Sequence, residues 1–69
     1  MKIKPMPYIR QWAHDTGREI VRSGTRFVLV TEGRHSQSMP RPRFRRVASL
    51  IIKHEGYEPK SRYIVGLKP

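Results

Sequence analysis

Apolar residues first recur at helical spacing near the start of the chain, where Ile9, Trp12, Ala13 and Thr16 fall at i, i+3, i+4 and i+7 with Arg10, Gln11 and His14 on the far side. Pro7 suits a first helical position and Gly17 the left-handed residue that closes a helix, so the pattern predicts a helix over about 7–16. The period then shortens. Arg18 to Arg22 reads as a short strand, Ser23-Gly24 as a hairpin turn and Thr25 to Thr31 as the second arm. Within TRFVLVT, Phe27 and Leu29 share one face and Val28 and Val30 the other, which makes this strand central, with helices over one face and a partly shielded second face. Glu32-Gly33-Arg34 is a second turn, and His35 to Met39 a polar third strand ended by Pro40 and Pro42, neither of which can donate to a ladder. From about 42 to 55 the helical period returns, with Phe44, Val47, Ala48 and Ile51 on one stripe, Leu50 and Ile52 flanking it, and Arg45, Arg46, Ser49 and Lys53 opposite. Gly56 stops this helix, and after the turn Tyr57-Glu58-Pro59 the residues Tyr63, Val65 and Leu67 alternate as in a strand.

These elements give an α+β fold in the order α-β-β-β-α: a small three-stranded antiparallel sheet packed with two helices, with room for an extra C-terminal strand. The expected division is a basic arm over 1–6, a single domain over 7–56 and a C-terminal extension over 57–69 that is either an edge strand or a docked segment. An exposed edge at residues 18–22 or in the tail leaves a homodimer open. With 69 residues and no cysteine, stability must come from packing or from a partner, and disulfides and thiolate metal sites are excluded. No apolar run reaches the length of a membrane span or a secretory signal, and the expected location is the cytoplasm.

Charge changes the picture most. Fifteen Lys and Arg against five acids give a formal net charge of +10, which points to a polyanion. Five arginines, Arg34, Arg41, Arg43, Arg45 and Arg46, fall in RHSQSMPRPRFRR without a carboxylate, and most of them crowd the start of the second helix. A helix N-terminus already carries partial positive charge, so a bound phosphate is the simplest compensation. The expected nucleic-acid-binding set is Arg34, Arg41, Arg43, Arg45, Arg46, Ser49 and Lys53.

The stretch GREIVRSGTRFVLV, followed by a polar strand, a proline and a helix reading ASLIIKHEG, resembles the layout of the HicA toxins, whose core is shared with the double-stranded RNA-binding domain. The resemblance covers roughly residues 7–56 and lies in element order more than in motif. It implies that Arg41, Arg43, Arg45 and Arg46 stand where a basic cluster contacts major-groove phosphates. HicA toxins are ribonucleases with a histidine just after the hairpin turn, and this chain has Thr25 and Arg26 there.

His14, His35 and His54 have no metal-ligand spacing, so neither a metal nor a cofactor is expected. His35 beside Arg34 and Arg41 is the one candidate general base, and a solvent-exposed strand histidine is the simpler reading. The five carboxylates read as local charge balance, Glu55 as a partner of Lys53 or a tail arginine. Trp12, Phe27 and Phe44 read as core, and Tyr8, Tyr57 and Tyr63 as residues able to stack on an unpaired base or to pack at the core rim. The expectation is a non-catalytic protein binding nucleic acid, RNA slightly before DNA. The alternatives are an accessory or inhibitor protein docking on an acidic protein, and a HicA-like ribonuclease. Membrane-surface binding ranks last, because neither helix joins a strongly basic face to a broad apolar one.

Overall fold

The computed structural model describes residues 2–59. Helix α1 spans Met6–Asp15, strands β1 and β2 span Glu19–Ser23 and Arg26–Thr31, the short strands β3 and β4 span Arg34–His35 and Met39–Pro40, and helix α2 spans Arg41–Glu55. The α+β class and the order α-β-β-β-α are as the periodicities require. The expected strand over Arg62 to Leu67, Tyr63 included, lies outside the described residues.

Both helices close in the same way. At the end of α1, Gly17 takes φ +72°, its N–H donates to the His14 carbonyl at 3.3 Å, and the Arg18 N–H donates to the Ala13 carbonyl at 2.7 Å. At the end of α2, Gly56 takes φ +66°, and Tyr57 N–H donates to the Ile52 carbonyl at 3.2 Å. These paired bonds satisfy carbonyls left without helical partners and fold the next residue back along the helix. Arg18 and Tyr57 are those residues, and both return to the core. Thr16, expected on the apolar stripe, is instead exposed, and its hydroxyl donates to the Trp12 carbonyl at 2.7 Å.

β2 is central. β1 lies along one side, with Ile20 opposite Leu29 and Arg22 opposite Phe27. The hairpin turn is Gly24-Thr25 rather than Ser23-Gly24, since Ser23 pairs with Arg26 and Gly24 carries φ +62°. Glycine at the first of two turn positions suits the turn that follows the right-handed twist of a hairpin. At the other end Glu32 and Gly33, at φ +51° and +78°, make the second tight turn.

The third strand is interrupted. His35 pairs with Val30 and Met39 with Phe27, so three residues of this strand (36, 37 and 38) face two of β2 (28 and 29). That extra residue is a β-bulge. Ser36 holds it by using both backbone and side chain: its N–H donates to the Leu29 carbonyl, and its Oγ accepts the Leu29 N–H, both at 2.9 Å. Arg26 clamps the other side, donating from its guanidinium to the Ser38 Oγ and carbonyl, each at 2.8 Å. Residues four apart in a regular strand point to one face. The bulge breaks that rule, leaving His35 exposed on the open face while Met39 is buried against Phe27.

The helices cover the Phe27–Leu29 face. Met6, Ile9, Trp12 and Ala13 of α1 meet Phe44, Ala48 and Ile52 of α2 and Phe27, Leu29 and Met39 of the sheet in one cluster. Phe27 and Phe44 stack at 5.3 Å between centroids, fixing α2 on β2. Val28 and Val30 lie half-buried on the opposite face, where Val21 is 41% exposed.

Trp12 is fully buried, and its indole N–H donates to Glu55 Oε1 at 3.0 Å. Arg18 lies over the indole ring at 4.5 Å and its guanidinium bonds both oxygens of the same carboxylate. Among the described residues Glu55 therefore pairs with Trp12 and Arg18 rather than Lys53, and the expected tail arginine lies outside them. The indole hydrogen bond, with the Arg18 guanidinium beside it, holds the Glu55 carboxyl below its ordinary range, although partial burial pushes it up.

A lowered folded-state pKa adds stability that is present above the ordinary glutamate value of about 4.3 and is lost as pH falls through the folded value. Melting followed by Trp12 fluorescence should show Tm falling below about pH 4, with a shallower fall in Glu55→Gln; identical profiles would remove Glu55 as a source. Deletion of Gln37 takes away the extra residue of the bulge and leaves His35 and Met39 three apart, which a regular strand still places on opposite faces. Urea unfolding should register a change of no more than about 1 kcal/mol, and a loss of about 2–5 kcal/mol, that of an emptied core site, would show that Met39 no longer faces in and that 36–38 do not carry a single extra residue.

Candidate functional site

The seven residues singled out from the sequence do not form one patch. Arg34 stands opposite Thr31, whereas Pro40, just before Arg41, stands opposite Arg26. Those rungs are five residues apart on β2, about 17 Å, so Arg34 is at the far end of the sheet from the α2 arginines. Lys53 lies twelve residues after Arg41, about 18 Å along the helix. It lines a separate groove of about 300 Å³ with Ser49, Lys2, Lys4, Tyr8, Tyr57 and Glu58.

Ser49 and Arg45 turn inward. Ser49 is 2% exposed, its Oγ accepting the Lys4 N–H at 2.8 Å and donating to the Arg45 carbonyl at 2.6 Å. Arg45 is half-buried, and its Nε donates to the Lys4 carbonyl at 3.0 Å. The reason is a second neighbour that periodicity alone does not reveal. The N-terminal arm lies against α2, so the buried stripe widens to Phe44, Ala48, Ser49 and Ile52. A buried serine can hold a backbone amide there, at the inner edge of the groove that Lys53 lines.

Arg41, Arg43 and Arg46 remain exposed, on two sides of the helix. Arg43 and Arg46 flank an open recess of about 470 Å³ with Pro40, Pro42, Val47 and Leu50, where Leu50 is 53% exposed. Arg41 continues the helix row of Arg45, Ala48 and Ile52 at i, i+4, i+7 and i+11, one turn beyond the end of the core. There it meets two arginines that sequence reasoning passed over. A recess of about 270 Å³ is lined by Arg10 of α1, Arg22 of β1 and Arg41, with the Gly24-Thr25 turn and Phe27. Arg22 is held in place by its own hairpin, its Nε donating to the Gly24 carbonyl at 2.9 Å. The lining set has neither a carboxylate nor a histidine. A neighbouring groove that shares Arg10, Arg22 and Phe27 runs along α1 past His14, Arg18 and Glu19.

His35 lies on the open sheet face, and its strand neighbour Arg34 points to the other side. Four rungs, about 13 Å, separate His35 from the level of Pro40. The structure thus does not bring His35, Arg34 and Arg41 into one site. Tyr8 and Tyr57 pack edge to face at 5.9 Å, and the Tyr57 hydroxyl donates to Asp15 Oδ2 at 2.7 Å. Burial, followed by the Asp15 carboxylate, pushes the Tyr57 hydroxyl well above its ordinary pKa. Burial also raises that of Tyr8, with Glu58 adding to it. Both rings serve as core rim. Among the described residues no three His, Asp or Glu side chains gather as a metal site, and no helix is long and apolar enough to cross a membrane.

No family model, curated protein or solved structure matches the chain. The arginine recess therefore stands on its own geometry.

Replacing Ser49 by Ala removes an acceptor from Lys4 N–H without touching the exposed arginines. It should cost about 1 kcal/mol in urea unfolding and leave affinity for nucleic acid within about twofold; a large affinity loss at unchanged stability would return Ser49 to the binding surface.

Proposed function

We propose that this chain is a small, non-catalytic nucleic-acid-binding protein that grips phosphates around the start of α2, with Arg41, Arg43 and Arg46 as principal contacts and Arg10 and Arg22 beside them. The observation that carries this reading is the recess where arginines from two helices and a strand face one space without a carboxylate. Like charges gathered this way repel, and a polyanion relieves the repulsion while guanidinium forks match phosphate oxygens. The net charge of +10 steers any such partner toward the protein. The non-catalytic part rests on the lining set, which offers no side chain able to take a proton at neutral pH.

A slight preference for RNA over DNA is supported by the element order, α-β-β-β-α, which resembles that of the double-stranded RNA-binding domain and the HicA toxins. A second reading follows from the Arg43–Arg46 recess, where exposed Leu50 and half-buried Val47 give apolar surface beside two cations. An acidic protein with an apolar anchor fits that surface.

If about four phosphates are neutralised, log K should fall with log salt at a slope near −3.6 on a duplex or −2.8 on a single strand, and Arg43→Gln should flatten it by somewhat under one unit. Affinity without salt dependence, or no binding to RNA or DNA, overturns the reading. A stoichiometric protein partner that survives nuclease treatment in a pull-down supports the second reading instead.

A further inference from the structure

The recess beside the hairpin turn differs from a flat basic patch in being a half-open concavity. Arg10, Arg22 and Arg41 come from three elements, the Gly24-Thr25 turn forms another side, and Phe27, only 6% exposed, supplies an apolar floor. Resting on the nucleic-acid reading above, we infer that this recess is a seat for a terminal phosphate monoester of a nucleic-acid strand.

A backbone diester carries one negative charge and enters and leaves through two ester links, so it needs a channel open at both ends. A terminal monoester has one ester link and carries about 1.5 to 2 negative charges at neutral pH. It can enter a half-open recess end-on, and its charge comes closer to balancing three guanidiniums. Arg22 is already oriented for this. Its Nε donates to the Gly24 carbonyl, which fixes the plane of the guanidinium where it lines the recess. The apolar floor keeps water from one side and strengthens each charged hydrogen bond. Arg43 and Arg46, outside the recess on the flank of α2, are placed to follow the backbone of the same strand.

The test is a fluorescence-anisotropy comparison, at one salt concentration, of short single-stranded RNA and DNA oligonucleotides bearing a 5′ phosphate, a 3′ phosphate or hydroxyls at both ends. The expected result is a preference of about tenfold for one phosphorylated end. That preference should disappear in Arg10→Gln and Arg22→Gln. It should also drop in Arg22→Lys, which keeps the charge but not the fork, while circular dichroism and Tm stay at their starting values. Arg43→Gln should weaken all oligonucleotides together and keep the preference. Equal binding of phosphorylated and unphosphorylated strands, or a preference that survives Arg22→Gln, overturns the terminal-phosphate seat and leaves the general nucleic-acid reading in place. Failure of every oligonucleotide to bind overturns both.

Discussion

A buried indole N–H must be given an acceptor, and in this chain that need organises the tertiary structure. Trp12 is fully buried, so a group had to come to it, and that group is the last residue of α2. Bringing the carboxylate of Glu55 to a partly sheltered place requires a cation, and Arg18, the first residue beyond the closing turn of α1, provides it. One cluster thus ties the end of α1, the approach to β1 and the end of α2. A second acid, Asp15, receives the Tyr57 hydroxyl and the Gln11 amide. With only five carboxylates in the chain, assigning two of them to tertiary bonds leaves few to offset the cations outside. The scaffold and the charge of its surface are therefore parts of one arrangement.

Much of this was legible because it rests on short-range rules. The glycine at 17 and the glycine at 56 marked the helix ends, and the alternation of Phe27, Val28, Leu29 and Val30 marked a central strand with two different faces. What escaped was set by partners distant in sequence. Ser49 sits on a polar-looking face of α2 until the arm at Lys4 is laid against it, and no period in the helix announces that arm. The bulge was equally hidden. His35 and Met39 are both four apart and read as one strand, and only the hydrogen bonds of Ser36 show where the extra residue lies.

The arginines show the same division at the candidate site. Grouped by sequence, they looked like one cluster before α2; grouped by fold, they separate by task. Arg45 anchors the arm, Arg26 holds the bulge, Arg18 completes the tryptophan cluster, and Arg34 stands at the other end of the sheet. Arg10 and Arg22 join Arg41 because the middle of α1, the end of β1 and the start of α2 all lie near the hairpin turn. Their residues lie 12 and 19 positions apart along the chain, 22 − 10 and 41 − 22, so local patterning had no means of pairing them.

The interrupted third strand has one more consequence, which concerns how the sheet meets other sheets. Among the described residues its outer border consists of two short segments separated by a bulge and closed by Pro40, which has no amide hydrogen to offer. β1, by contrast, presents five residues of regular strand on the opposite border. A sheet with one usable border can add a neighbour through it but cannot hand the pairing on. Strand-to-strand association between copies through these elements would close on itself as a two-fold pair and stop there, rather than growing into a fibre.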